Sequence, residues 1–301
     1  MGRQAIAINA AAGSDRPILG SLWMLGTVAS FALMQVAGRE LSGEHDVNTI
    51  MLYRSLIGLV VILPIALAFG GVRNLITARP LGHLVRNGIH FLGQMSWFFG
   101  IAHLTLADVS ALNAMTPIFG VVLAITFMGE ALSRPRIAAI AVGFVGVLVV
   151  IRPGLIPLEI ATGVTLAGAL FYAVSVVLMK ALTRTEPVLR IIVYMMAIQF
   201  VIALVVAGGE IAVPLAADIP WIIIVGASGL TAHYCMARAV SLADASVILP
   251  ISYLQLPAMA IIGLISYNEQ LDFYTLAGGG LIFAATYLNV VWSRRRAANR
   301  P

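Results

Sequence analysis

Apolar residues come in ten long runs, and polar residues are confined to short gaps between them and to isolated positions inside. A spanning helix needs ~20 mostly apolar residues. The runs are Ile18–Gly38, Val47–Phe69, Leu81–Ala102, Val109–Met128, Ile137–Ile151, Ile160–Met179, Ile191–Ala207, Trp221–Ala237, Ala245–Tyr267 and Phe273–Trp292. The fifth is short, and Pro135 suits its first helical position. Lipid offers no partner to backbone N–H and C=O groups, so only helices and closed barrels span it. These runs lack the alternation of barrel strands. The pattern predicts an all-α integral membrane protein with ten transmembrane helices.

Composition agrees. Hydrophobic residues make up 60% of the chain, charged residues 10%, and mean hydropathy is +0.99, whereas a soluble domain carries roughly 25% charged residues. With both termini in the cytoplasm, fifteen of the 18 Lys and Arg residues, Arg86 among them, fall on that side. Arg39 and Arg152 fall outside, and Arg54 lies within a run. Such asymmetry marks the cytoplasmic face of a multi-pass protein of the inner (plasma) membrane. Topology therefore accounts for the pI of about 9.7, and a nucleic-acid partner is not expected. Arg294, Arg295 and Arg296 suit anionic lipid headgroups. Residues 1–16 read as a cytoplasmic tail without the features of a signal peptide. Cys235 is alone and reads as a small buried hydrophobe.

The halves of the chain echo each other. Leu106, Ala107, Asp108 and Ser110 match Leu242, Ala243, Asp244 and Ser246, and runs ending at Glu130 and Glu269 follow. Run three then aligns with run eight and run four with run nine. Each unit holds five spans, and an odd number inserts the second copy from the opposite side, an inverted repeat. Many secondary transporters share this plan, with the solute near the midplane where the repeats meet.

These residues resemble the drug/metabolite transporter superfamily in its ten-helix EamA branch. The carriers are Arg54 in "MLYRSLIG", the stretch "RNGIHFLGQMSWFFGIAHLTLADVSALNAMTPIF", "MGEAL" and "VGFVGVLVVIRPG". The second copy is weaker, with "YNEQL" for the Glu motif and Met195 at the place of Arg54. The resemblance implies a tail at 1–16, EamA repeats at 17–151 and 152–293, and a basic cytoplasmic tail at 294–301. It implies two five-helix units around a central cavity, working as a solute carrier. The span-three stretch also resembles members assigned to S-adenosylmethionine uptake; other members export amino acids or move riboflavin.

Polar residues inside the runs are the candidate site. Asn87, His90, Gln94 and Trp97 share one helix face. Polar groups facing hydrocarbon are costly, so this face should look into protein or a wet cavity. It reads as a solute-binding stripe or as interhelical hydrogen bonding. The repeat aligns Trp97 with His233, a second wall at the mirrored position. Asn113, Thr116 and Pro117 on run four, and Ser252, Tyr253, Gln255 and Pro257 on run nine, fit the broken helices of transporter sites. Tyr172 and Ser175 on run six, and Ser30 and Gln35 on run one, complete the set. The expected solute-binding residues are His90, Gln94, Trp97, Asn113, Tyr172, His233, Tyr253 and Gln255. Arg54 lies deep in run two. It is either a counter-ion for a solute carboxylate or a donor to helix-end carbonyls or to Glu40, Glu44 or Asp46. Ala139 with Gly143, and Gly280 with Ala284, allow close helix approach, within the chain or in a weak dimer.

All 13 Asp and Glu residues fall in loops, tails or span ends. Carriers driven by H⁺ or Na⁺ often hold a membrane-buried carboxylate, so the sequence points to facilitated diffusion, exchange, or proton coupling through His90 or His233. No metal-ligand spacing, phosphate loop or catalytic dyad stands within one span, and no cofactor, metal or catalytic residue is expected. The expected activity is transport of a small organic metabolite, an amino acid or related compound, by alternating access. The alternatives are a carrier of S-adenosylmethionine or another nucleoside- or riboflavin-like solute, and, as a different class, an integral membrane enzyme.

Overall fold

The computed structural model describes residues 16–116, 134–152, 160–208, 213–243 and 248–270, with short pieces between 119 and 126, position 211 and pieces between 273 and 285. The first fifteen residues, Pro117, Glu130, Asp244, Ser246, half of the tenth run and the basic tail lie outside the described residues.

Every regular element among the described residues is helical. The helices are α1 (Pro17–Leu41), α2 (Val47–Gly70), α3 (Pro80–His103), α4 (Leu106–Asn113), α5 (Arg134–Ile151), α6 (Ile160–Leu182), α7 (Val188–Val206), α8 (Ile219–Leu242) and α9 (Gln255–Tyr267). A 3₁₀ turn, Gly71–Leu75, follows α2, and another, Leu249–Leu254, leads into α9. Their ends follow local chemistry. Proline stands in the first turn of α1, α3 and α8, where its missing N–H costs nothing. The Asp46 carboxylate caps α2 by accepting from the backbone N–H groups of Asn48 (2.7 Å) and Thr49 (3.0 Å). Gly71, at φ +57°, ends α2 in a conformation other residues avoid.

Five stretches, Pro17–Leu41, Val47–Arg73, Ile160–Leu182, Val188–Val206 and Ile219–Leu242, are long and apolar enough to cross a membrane. Their outer faces carry exposed side chains such as Leu22, Val60, Leu170, Val201 and Ile223, a girdle suited to lipid rather than water. α3 is as long as α2 but carries the polar stripe on its buried side.

α1 packs chiefly on α8, α3 on α6, and α2 on α7 and α8. The α3–α6 contact is backbone to backbone. A Cβ on Gly93 would stand 3.3 Å from the Gly168 carbonyl oxygen, and one on Gly168 would stand 3.2 Å from that of Gly93. Glycine lets the two helices approach where larger residues would hold them apart. Gly143 on α5 likewise receives the Tyr253 ring, 3.1 Å from the position a Cβ would take.

Runs four and nine are not single helices. α4 gives way to a turn at Ala114 and Met115, and helical backbone resumes at Thr116. Run nine starts as the 3₁₀ segment holding Pro250 and becomes α-helical only at Gln255. Pro257 stands in the first turn of α9, where it is tolerated.

Candidate functional site

A cavity of about 60 Å³ lies where α1, α3, α4, α6, α8 and the start of α9 meet. His90 and Trp97 of α3, Asn113 of α4, Tyr172 of α6, His233 of α8 and Gln255 line it. Thr116 and Ser252, from the two broken runs, also reach it. Of the expected solute-binding residues, Gln94 and Tyr253 are not among those lining it. Gln94 is buried against Arg54. Tyr253 is buried against α5 and packs with Ala111, Ala114, Val147 and Leu256.

The two imidazoles at its centre touch. His90 Nε2 lies 3.3 Å from His233 Nε2, with the rings edge to face and centroids 4.7 Å apart. One of the two nitrogens carries the shared proton and the other accepts it. His90 Nδ1 meets Ser175 Oγ at 3.1 Å, while His233 Nδ1 is buried without a hydrogen-bond partner among the described residues. The rings stand in an aromatic wall. Tyr172 lies 5.2 Å from His90, Phe31 lies 5.2 Å from His233, and Phe31 meets Trp97 at 6.4 Å. Centroid distances of this size fit edge-on and tilted aromatic contacts.

Arg54 is wholly buried, and among the described residues its bonds go neither to helix-end carbonyls nor to Glu40, Glu44 or Asp46. Asp46 is occupied capping α2, and Glu40 accepts from the Tyr267 hydroxyl at 2.8 Å. The Arg54 guanidinium instead donates to the Gln199 side-chain oxygen at 3.1 Å. With the Gln94 amide oxygen turned toward Arg54, it accepts at 2.7 and 3.1 Å, and the amide nitrogen donates to Gln199 at 3.0 Å. That orientation satisfies both ends of the amide. The cluster is a buried cation held by two neutral amides and ties α2 to α3 and α7. Gln35 on α1 makes a second polar junction. It donates to the Leu106 carbonyl (3.0 Å) and accepts from Ser110 and Gln255 (3.3 Å each). Ser30 accepts from Thr231 across the α1–α8 contact at 3.1 Å.

The EamA-like transporter family matches residues 18–152 and again residues 160–291. This chain belongs to that family. It is a multi-pass membrane transporter of the drug/metabolite superfamily. An S-adenosylmethionine uptake transporter of Rickettsia conorii is 25% identical over 94% of this chain and 96% of its own. A riboflavin transporter of Vibrio cholerae is 23% identical, covering 93% and 96%. A pseudopaline exporter of Pseudomonas aeruginosa is 28% identical, covering 89% and 95%. A protein of known crystal structure shares the fold, with a TM-score of 0.73 at 16% identity over 92% of this chain and 98% of that one.

In this EamA transporter the cavity residues that escape a reading of the sequence include Phe31 and Arg86. Phe31 sits in an almost wholly apolar helix and gives no signal. Arg86 gives one, since it stands four residues before His90 on the same face of α3. Counting it with the basic residues of one side hides this. The side chain is 1% exposed, lies within α3 and lines the cavity.

Proposed function

We propose that this protein is a secondary transporter that moves a small organic metabolite, an amino acid or amino acid derivative, across the inner membrane by alternating access. Its ten spans form two inverted five-helix units, with both termini cytoplasmic. The observation that carries the reading is the meeting of α3 and α8 at the cavity through His90 and His233. The helix pairing supports it. If the units superpose α1 on α6, α2 on α7 and α3 on α8, the contact of α1 with α8 becomes that of α6 with α3, and both are present. The two family matches divide the chain at the same place. The described basic residues Arg16, Arg73, Arg79 and Arg184, with Arg190 in the first turn of α7, lie at the end of the bundle where the chain enters α1 and leaves α6, which supports the proposed orientation.

His90, Trp97, Asn113, Tyr172, His233 and Gln255 contact the solute in this reading. Gln94 acts from behind, through Arg54, and Tyr253 sets the packing of α5. One water needs about 10–15 Å³, so the cavity admits a few waters, and a metabolite enters only as its walls move apart. S-adenosylmethionine is the specific solute most favoured. It is an amino acid derivative bearing an aromatic base, and the wall of Trp97, Tyr172 and Phe31 suits such a base. Relatives bearing that activity in their names align over nearly the whole chain.

A metabolite-library thermal-shift screen on the detergent-purified protein tests the reading. Compounds that stabilise the wild type should lose that effect with Trp97→Ala. A screen in which Trp97→Ala retains every hit would move the solute away from this cavity.

A further inference from the structure

We infer that Arg86 receives a carboxylate of the transported solute at the cavity wall. The inference rests on the carrier reading above and specifies the chemistry its solute must have.

Arg86 stands six residues into α3, about 9 Å along the helix at 1.5 Å per residue. It lines the cavity one helical turn before His90 and is buried. One terminal nitrogen donates to the Asn87 side-chain oxygen at 2.6 Å, and the other meets the Met179 thioether at 3.7 Å. Sulfur is a weak acceptor. The remaining donor, Nε, has no partner among the described residues. A neutral amide and a thioether leave the positive charge uncompensated, and a buried charge without a counter-charge is strongly unfavourable.

Among the described residues of the helices that wall the cavity, no carboxylate is left free to pair with Arg86. Residues 47–107, 160–185, 219–243 and 245–268 contain no Asp or Glu. Glu40 on α1 is engaged by Tyr267, and Asp108 on α4 by Thr105. Glu186, in the loop after α6, is held by Thr77 and Arg190. Among the described residues no carboxylate meets Arg86, and we assign that role to what enters the cavity.

Other unsatisfied groups there point to the same partner. Trp97 Nε1 is buried, can only donate, and has no acceptor among the described residues. Trp97 stands eleven residues beyond Arg86 on α3, about 16 Å along the helix, so it would meet an acceptor elsewhere on the solute, while the carboxylate falls to Arg86 Nε. A single guanidinium matches a carboxylate by paired hydrogen bonds. A phosphate dianion would call for a second cation, but Arg54 is already held by Gln94 and Gln199 and does not line the cavity. The counter-ion role thus passes from Arg54 to Arg86.

The test uses the full-length protein in detergent and a panel of amino acids and amino acid derivatives, each paired with its uncharged amide or decarboxylated twin. S-adenosylmethionine and its decarboxylated form are one such pair. Dissociation constants come from thermal shift or calorimetry. In the wild type, carboxylates should bind about tenfold to a hundredfold tighter than their twins, as expected for a charged hydrogen bond. Arg86→Gln should erase that ratio. Arg86→Lys, which keeps the charge and guards against misfolding of the Gln variant, should retain part of it. Twins that bind as well as carboxylates, or a ratio unchanged in Arg86→Gln, would overturn the inference and leave the carrier reading intact. A panel from which nothing binds the wild type would overturn both.

Discussion

Arg39 at the end of α1 and Lys180 at the end of α6 bind main-chain carbonyls at matched points of opposite ends of the bundle. Arg39 donates to the carbonyl of Leu104, and Lys180 donates to the carbonyls of Val240 (2.8 Å) and Ala243 (2.9 Å). Leu104 stands two residues before Leu106, as Val240 stands two residues before Leu242, within the repeated Leu-Ala-Asp segment. The C-terminal carbonyls of a helix have no intrahelical partner, and a cation there is favoured by the helix dipole. Glu269 strengthens the first tie by accepting from the Leu106 backbone N–H at 3.1 and 3.2 Å, 3.7 Å from Arg39. Such equivalence at opposite ends is the outcome expected of two units of opposite orientation.

Each tie should therefore control its own end. Lys180→Met is expected to speed hydrogen exchange of backbone amides at 239–243 roughly tenfold, as for a lost charged hydrogen bond. Amides at 104–106 should stay unchanged. Arg39→Met should give the converse. Mass-spectrometric exchange on the purified protein reads both ends in one experiment, and equal loosening of both ends by either variant would contradict independent ties.

The Arg54 cluster should behave as a coupled unit. Gln199→Leu takes the acceptor from one buried Arg54 N–H and from the Gln94 amide N–H, which costs about 1–3 kcal/mol. Arg54→Met removes the charge together with its need for partners. The double variant should accordingly be more stable than the sum of the single effects predicts, with a coupling of about 1 kcal/mol or more. Thermal denaturation in one detergent measures all four proteins, and simple additivity would show that the contact contributes nothing.

At the opening of α2 the prediction concerns pH. Partial burial opposes ionisation of Asp46, and the hydrogen bonds from Thr49 and Asn48 outweigh it, holding its pKa below the ordinary 3.8. A carboxyl with a depressed folded pKa stabilises the fold above its unfolded pKa and loses that effect as pH falls through the folded value. Asp46→Ala should thus cost about 1 kcal/mol at neutral pH. The gap to wild type should hold down to about pH 4 and close below it. Denaturation midpoints of both proteins across pH 3–7 check this; a gap that widens in acid would reverse the sign.

The helices were legible because membrane solvent leaves little choice. The expected run Val47–Phe69 is α2 at Val47–Gly70, and Leu81–Ala102 is α3 at Pro80–His103. Run eight extends beyond its expected end at Ala237 to Leu242, with Arg238 and Ser241 on the last turns of the helix. In runs four and nine the prolines pointed to broken helices, and the described residues show a turn at Ala114 and Met115 and a 3₁₀ segment at Leu249–Leu254. Helix spacing brought His90 and Trp97 to one face, and the repeat pointed from Trp97 to His233. It also put Gln94 on that stripe, where the neighbouring Arg54 and Gln199 claim it. Depth could not be read at Arg86. A basic residue a few positions from a span end looks the same in sequence whether it snorkels to water or turns into a cavity.

Solute counterflow in proteoliposomes bears most directly on the central claim that this cavity carries a metabolite by alternating access. Vesicles loaded with unlabelled S-adenosylmethionine should accumulate labelled S-adenosylmethionine transiently and saturably above its equilibrium level, and Trp97→Ala should abolish that overshoot. Uptake that rises linearly with concentration, is indifferent to internal solute, or survives Trp97→Ala would contradict the account.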